Sequence, residues 1–185
     1  MSLYREVYDT LKTVRPSMQV FPTWQLDWMD MNAQWGLISS FDDKMDALAL
    51  SFYPGSRKTG STYWTPSDIP ADYIGKVRGL TGTSKPMLVS ETGYGDSTIA
   101  PPGWQGSRAL QQEYATWLFR QADSLGIQQV IWFFNADIWD LVDPVPPPQR
   151  GILPFFASMG LRTRTLASKP VLTDWDAAHA RPYSP

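Results

Sequence analysis

Four short apolar segments, spaced along the chain, limit its fold more than any other feature. They cover residues 18–22, 47–53, 86–91 and 129–134. Segments that are apolar at nearly every position predict strands buried on both faces, which is typical of a parallel sheet covered by helices. Amphipathic helices are predicted around and between the strands, over residues 3–14, 71–80, 107–125 and 170–178. The sequence therefore predicts an α/β fold with a four-stranded parallel sheet.

The number of repeating units predicts half of a barrel. A TIM-type (βα)8 barrel uses about 31 residues per unit, so the 185 residues hold about four units. Long loops follow the strand C-termini, where barrel active sites lie. A flavodoxin-like sheet and an unrelated four-stranded α/β domain are the alternatives, but no Gly-rich phosphate loop follows the first strand. We predict one half-barrel domain over residues 1–185, a fragment of a longer barrel, since helical periodicity starts at Leu3 without features of a signal peptide.

Composition excludes several classes of function. Sixteen basic and eighteen acidic side chains give a net charge of −2, too weak a field to attract nucleic acid or an anionic membrane. No apolar run is long enough for a transmembrane helix. The absence of Cys excludes disulfides, thiol catalysis and Cys-ligated zinc. The single His, His179 near the C-terminus, disfavours Ser-His-Asp catalysis and His-rich metal sites. We expect no cofactor and no metal, and a chemistry based on carboxylates, Tyr and amides.

Glu91 is the carboxylate best placed for chemistry. Glu6 and Glu113 fall on the exposed faces of predicted helices, whereas Glu91 ends a buried strand. Strand alternation places Glu91 on one face with Met87 and Val89. A structural carboxylate that caps a loop is an equally good interpretation from spacing alone.

Aromatic residues at strand ends predict a sugar-binding cleft. Tyr53 ends the preceding strand, and strands about 4.8 Å apart would let its hydroxyl orient the Glu91 carboxylate. Indole rings in strand-end loops suit the apolar faces of sugars. Packing is the alternative, above all for Trp117 and Trp132. The side chains at or near strand ends that we predict to contact substrate are Trp24, Trp64, Tyr94, Trp132, Phe134, Asn135, Asp137 and Trp139.

Three motifs resemble a known enzyme clan. Residues 85–93, KPMLVSETG, resemble the seventh strand of retaining glycoside hydrolases built on (βα)8 barrels, where a K-P-x-x-x-x-E-x-G pattern ends with the nucleophile. Residues 50–54, LSFYP, are similar to the sixth strand, nearest to endo-β-1,4-galactanases. Residues 160–171 resemble the closing G-L-R…K-P-A segment. The resemblance implies strands five to eight of such a barrel, with Glu91 as nucleophile and Tyr53 as its hydrogen-bonding partner.

The chain departs from this clan at one essential point. Members have their acid/base Glu in an Asn-Glu pair after strand four, and no Asn-Glu pair occurs here, because Asn32 precedes Ala33. Asp137 and Asp140 are weaker substitutes. The resemblance implies retaining hydrolysis of a β-linked polysaccharide or oligosaccharide by a longer parent; the alternative is a non-catalytic carbohydrate-binding or assembly module.

The predicted half-barrel also implies a protein partner. Its interior face, with Ala49, Met87 and Val89, would be open to water, and its terminal strands would have unpaired edges. We therefore predict a homodimer, or assembly with the missing N-terminal half-barrel, and carbohydrate as the small-molecule partner.

Overall fold

A computed structural model of the chain describes residues 2–100 and 102–181, which form two compact units. Each unit is assembled from three separate stretches of sequence. Unit 1 comprises Met1–Phe52, Ala71–Glu91 and Ala122–Ile131, and unit 2 comprises Tyr53–Pro70, Thr92–Gln121 and Trp132–Pro185.

Helices and strands alternate along the chain. The helices are α1 (Ser2–Val14), α2 (Leu26–Asn32), α3 (Trp35–Ser39), α4 (Lys76–Thr81), α5 (Arg108–Leu125), α6 (Trp139–Val142), α7 (Leu153–Ala157) and α8 (Pro170–His179). The strands are β1 (Thr23–Gln25), β2 (Leu48–Phe52), β3 (Lys58–Thr59), β4 (Thr62–Tyr63), β5 (Met87–Thr92), β6 (Ser97–Ile99), β7 (Trp104–Ser107) and β8 (Gln129–Trp132).

A four-stranded parallel sheet follows the order of the chain, β1-β2-β5-β8. Thr23 is opposite Ala49 and Gln25 is opposite Ser51 in the β1–β2 pair. Parallel strands require long crossover connections, and helical segments provide them. The sheet begins at β1 and ends at β8 without closing. The predicted α/β fold with flanking helices is confirmed, and it is consistent with part of a TIM-type domain.

The first strand lies later in the sequence than predicted. Residues 18–22 form no strand, and β1 begins only at Thr23. The backbone of Val20 is bonded to Asp46, donating to its Oδ2 at 2.7 Å and accepting from its N–H at 2.9 Å. Pro22 has no N–H to donate to a neighbouring strand. These hydrogen bonds satisfy backbone groups of the segment although it lies outside the sheet. Apolar composition alone could not indicate this.

The sheet face that we expected to be open to water is covered. Ala49, Met87 and Val89 are all fully buried, so the predicted exposure of this apolar face is wrong. Ala49 packs with Leu88 in a cluster that also contains Ala47 and Phe21. Both faces of the strands in unit 1 therefore contribute to its core.

Helix α1 is attached to unit 1 by its polar side. The Tyr4 hydroxyl donates to the Lys44 carbonyl at 2.8 Å, and Arg5 pairs with Asp43 at 2.7 Å. Three apolar residues of the helix are exposed, namely Leu3, Val7 and Val14, whereas the Tyr4 ring packs edge-on against Phe41 with centroids 5.2 Å apart. Hydrogen bonds, charges and this ring contact together hold the helix.

Asp46 is the central anchor of this attachment. Its carboxylate accepts from the Tyr8 hydroxyl at 3.0 Å and from the Val20 N–H, and it pairs with Lys12 at 2.7 Å. Burial by itself would raise the pKa of Asp46, but the bonds from Lys12 and Val20 outweigh burial and hold the pKa below its usual range. The ionised form is thus the one that stabilises the fold.

Unit 2 has an aromatic core with a buried cation beside it. Phe155, Met159 and Tyr53 form the core of a cluster that also includes the half-buried rings of Trp104, Phe133, Phe134 and Phe156. The Lys169 side chain is fully buried, with its Nζ 2.6 Å from Asp137 Oδ1 and 3.1 Å from Asp96 Oδ2. A charge is tolerated at such a position only when it is paired and hydrogen-bonded.

Replacing Asp46 should destabilise the protein in a pH-dependent way. We expect Asp46→Asn to lower the free energy of unfolding by about 1–3 kcal/mol at pH 7. Because the folded-state pKa is lowered, the contribution of Asp46 is present above the unfolded carboxyl pKa, about 4, and is lost as pH falls through the folded value. Urea unfolding at pH 7 and pH 3 measures both. Glu6→Gln, at an exposed carboxylate of α1, is the control, and an equal loss there would contradict the anchor role.

Removing the buried cation should lower the free energy of unfolding by more than the Asp46 substitution does. Lys169→Met leaves Asp96 and Asp137 buried without their shared cation, and we expect a loss of about 3–5 kcal/mol at pH 7. Burial, only partly offset by Lys169, raises the pKa of Asp137. A raised folded-state pKa favours folding at low pH and loses this effect as pH rises, so the deficit of the variant should shrink at pH 4. Lys58→Met, at an exposed lysine, should change little; a pH-independent deficit would refute this account.

Candidate active site

Glu91 lies where the sequence predicts it, near the C-terminal end of a sheet strand. It is the penultimate residue of β5, and its side chain is half-buried. The C-terminal ends of parallel strands lie at one edge of a sheet, so Glu91 shares an edge of unit 1 with Gln25, the last residue of β1. A half-buried carboxylate at this edge is both fixed by the strand and accessible to a ligand.

A second carboxylate, Asp27, follows the same edge and was not predicted. Asp27 lies two residues after β1 and is almost completely buried. It accepts a hydrogen bond from the Tyr73 hydroxyl at 2.5 Å and one from Gln25 Nε2 at 3.4 Å. These bonds hold α2 against the segment before α4, so Asp27 has a structural role. The misplaced first strand hid it, because Asp27 would then have lain in the middle of a loop.

Trp24 belongs to the core of unit 1. Its ring packs edge-on against Phe41, with centroids 5.3 Å apart, and the side chain is 7% exposed. Little of the ring is left for a ligand to cover, so the structure favours the packing interpretation for this residue.

Tyr53 lies in the aromatic cluster of unit 2. Its ring makes edge-on contacts with Phe133 and Phe156, at centroid distances of 5.8 and 5.2 Å. The contacts fix the ring plane. The predicted orientation of Glu91 by the Tyr53 hydroxyl stays a prediction.

Tyr94 and Trp64 form a bonded pair within unit 2. The Tyr94 hydroxyl donates to the Trp64 carbonyl at 3.0 Å, and Trp64 Nε1 donates to Thr59 Oγ1 at 2.9 Å. Burial, followed by the charges of Asp68 and Glu113, raises the pKa of Tyr94 above its usual value, so this phenol stays protonated and acts as a donor. Trp64 is 9% exposed.

A pocket opens beside Tyr94. With its open mouth it has a volume of about 250 Å³, and aromatic rings, glycines and small polar residues line it: Gly55, Tyr94, Gly95, Ser97, Ile99, Trp104, Gln105 and Phe155. Gly55 fits closely here, because a Cβ would lie 3.1 Å from the Tyr94 ring and the ring would have to move by a few tenths of an ångström. Of its lining residues, Tyr94 is among the predicted substrate contacts. The hairpin β6–β7 supplies four of the others, in a segment where the sequence predicts a loop.

The residues at and after β8 have separate roles. Trp132 is 6% exposed and donates from Nε1 to the Met159 carbonyl at 2.6 Å, which is a packing role. Phe134 is half-buried with its ring 4.1 Å from that of Phe133. Asn135 is exposed, and Trp139 is half-buried at the start of α6.

Asp137 is engaged in structure rather than free for catalysis. Its Oδ1 accepts from Lys169 Nζ at 2.6 Å and from the Gly160 N–H at 3.0 Å. These contacts explain the G-L-R…K-P segment in physical terms, since Gly160 and Lys169 both belong to it. The other carboxylate around Lys169, Asp96, was not predicted; its only signal in the sequence is its closeness to Glu91.

Among residues 2–100 and 102–181, no group of three or more His, Asp or Glu side chains could hold a metal ion. No helix there is both long enough and apolar enough to cross a membrane.

Solved structures that resemble the chain are glycoside hydrolases. It matches a family 2 β-galacturonidase from Eisenbergiella tayi with a TM-score of 0.64 and 15% identity, over 98% of this chain and 30% of that one. A family 17 β-1,3-glucanosyltransferase from Rhizomucor miehei gives 0.62 and 18%, over 92% and 56%. A β-glucuronidase from Ruminococcus gnavus gives 0.63 and 18%, over 95% and 29%.

These similarities are structural. No family model matches the chain, and no curated protein matches it. The chain spans between 29% and 56% of the length of the three solved proteins. At such low identity the likeness concerns the fold, and the chain has a glycoside hydrolase-like fold.

Proposed function

We propose that the chain is part of a retaining glycoside hydrolase that acts on a β-linked polysaccharide or oligosaccharide, with Glu91 as its nucleophile. The observation that supports this most is the position of Glu91, half-buried near the C-terminal end of β5 in a parallel sheet whose strands follow chain order. Active sites of (βα)8 enzymes are built at this end of the strands.

The proposed chemistry has two steps. A Glu91 oxygen attacks the anomeric carbon while the glycosidic C–O bond breaks, and the leaving oxygen takes a proton from a second carboxylic acid. Water then attacks the glycosyl-enzyme ester, with the second residue now acting as base. Tyr53 is proposed to donate a hydrogen bond that keeps the Glu91 carboxylate aligned, and Phe134 and Trp139, which are half-buried, are proposed sugar contacts.

The second carboxyl group must lie about 5–5.5 Å from the first, and we propose that it comes from outside this chain. Glu6 and Glu113 are exposed on helices. Asp137, our first substitute, is bonded to Lys169 and Gly160. A missing N-terminal half-barrel is the proposed source of the acid/base residue.

A non-catalytic carbohydrate-binding or assembly module is the second candidate. The absence of an Asn-Glu pair from the sequence favours it, together with the concentration of aromatic rings in unit 2. In this alternative the sugar contacts remain, and Glu91 is a polar contact instead of a nucleophile.

Covalent labelling tests the nucleophile without needing the missing acid. In 2,4-dinitrophenyl 2-deoxy-2-fluoro-β-glycosides the leaving group departs without protonation, so the first step needs only a nucleophile. We expect mass spectrometry of the chain, incubated with the galactoside and the glucoside, to find one glycosyl group on the peptide that contains Glu91. Without a correctly placed acid, turnover of ordinary aryl β-glycosides should be negligible.

Two variants make the labelling decisive. Glu91→Gln should abolish the adduct, and Glu113→Gln, at an exposed helix position, should keep it. An adduct that persists in Glu91→Gln would rule out Glu91 as the nucleophile. Binding of oligosaccharides without any adduct would favour the non-catalytic module.

The ends of the sheet support a proposal about assembly. β1 and β8 end the strand order, and the end strands of an open sheet can pair with another chain. We propose that a second copy or the missing half-barrel occupies these ends. If a second copy occupies them, multi-angle light scattering of the chain alone should give at least the mass of a dimer. A monomer mass across a concentration series would refute the second copy as the occupant.

A further inference from the structure

We infer that Trp28, on α2, is a stacking platform for a sugar ring of the same oligosaccharide that reaches Glu91. The inference rests on the proposed function and names a substrate-binding residue that the sequence patterns did not single out. It is argued from the exposure of Trp28, from the anchoring of its helix and from its place on the sheet.

The exposure of Trp28 sets it apart from the other tryptophans. Its side chain is 54% exposed, whereas Trp24, Trp64 and Trp132 are between 6% and 9% exposed. The remaining five are half-buried, namely Trp35, Trp104, Trp117, Trp139 and Trp175. Trp has the largest side chain, and burying it contributes about 150–250 Å² of surface. An exposed indole in a chain that covers its other eight is a candidate contact for a ligand.

The helix that presents Trp28 is firmly anchored. Leu26 and Met29, on its other side, are buried. Asp30 pairs with Lys76 at 2.6 Å, and the buried Asp27 accepts from the Tyr73 hydroxyl. The backbone of the platform is therefore fixed before a ligand arrives, and a preorganised surface loses little entropy on binding.

Two amide side chains are bonded to the backbone of Trp28. Gln25 Oε1 accepts from the Trp28 N–H at 2.9 Å, and Asn32 Nδ2 donates to the Trp28 carbonyl at 2.9 Å. These bonds fix the backbone from which the indole projects. A sugar has an apolar C–H face bordered by hydroxyl groups, which suits the exposed indole face of Trp28.

The platform and Glu91 belong to the same edge of the same unit. α2 begins directly after Gln25, the last residue of β1, and Glu91 is near the end of β5. One strand, β2, separates β1 from β5, so the strand axes are about 10 Å apart. A single sugar ring cannot cover both positions, whereas an oligosaccharide can. Binding through Trp28 should therefore depend on the length of the ligand.

NMR titration of the tryptophan indole N–H groups tests the platform. The protein is the Glu91→Gln variant, which prevents turnover, and the probes are β-1,4-galactotetraose, laminaritriose and monomeric galactose. The Trp28 signal is the one that disappears in Trp28→Phe. We expect a trisaccharide or tetrasaccharide to shift this signal, and Trp28→Ala to weaken its binding by about five- to tenfold.

Two further variants separate the ring from the helix. Trp28→Phe retains an aromatic face and should keep most of the affinity. Met31→Ala, one turn further on the same helix, is the matched control and should bind almost as well as the parent. Circular dichroism of each variant verifies that α2 and the sheet are intact.

The outcomes distinguish this inference from the proposed function. If the oligosaccharide shifts other signals but not that of Trp28, and Trp28→Ala binds equally well, the platform is refuted while the glycosidase proposal stands. If Glu91 fails to be labelled by fluoroglycosides but the Trp28 signal moves, the platform stands and the glycosidase proposal is refuted. If light scattering detects a dimer that Trp28→Ala dissociates, the exposed indole is a protein contact, and the sugar platform is refuted.

Discussion

Parallel pairing of strands that follow chain order is the constraint on which the rest of unit 1 depends. Such strands need long connections between them, and these connections place every strand C-terminus at one edge. Glu91 and the start of α2 lie together there because of the pairing and not because of their distance in sequence. The core then fixes the edge, since the strands have buried residues on both faces.

Buried polar contacts supply the precision that apolar packing cannot. In unit 2, Gln111 is fully buried, and its amide donates to the carbonyls of Tyr94 and Gly160 at 2.9 and 3.2 Å. Lys169 joins Asp96 and Asp137 in the same unit. Each such group needs a hydrogen-bonding partner in the right position, because burial has removed the water that would otherwise bond to it. These contacts therefore stabilise a single arrangement of the loops of unit 2 that carry the aromatic residues.

Periodicity predicted the elements whose residues are uniformly apolar or amphipathic. β2 and β5 lie within one residue of the predicted strands, and α5 begins after Ser107, whose Oγ accepts from the Leu110 N–H as a cap. The strand predicted over residues 18–22 is wrong, because Asp46, which is distant in sequence, forms hydrogen bonds with the backbone of Val20. Glu91 could be predicted as a candidate site residue, because it ends a buried strand. The exposure of Trp28 could not, since it depends on which face of a seven-residue helix the tertiary structure covers.

The ion pairs that attach α1 make the helix and the sheet of unit 1 respond differently to salt. The pairs formed by Arg5 and Lys12 are partly exposed, and at an ionic strength of 0.15 M charges are screened over about 8 Å. Apolar burial in the sheet is strengthened by excluded salts such as sulfate. Rising sulfate concentration therefore weakens the ion pairs of the N-terminal helix while it strengthens apolar burial in the sheet, so the order in which the two parts unfold depends on the solution as well as on the sequence.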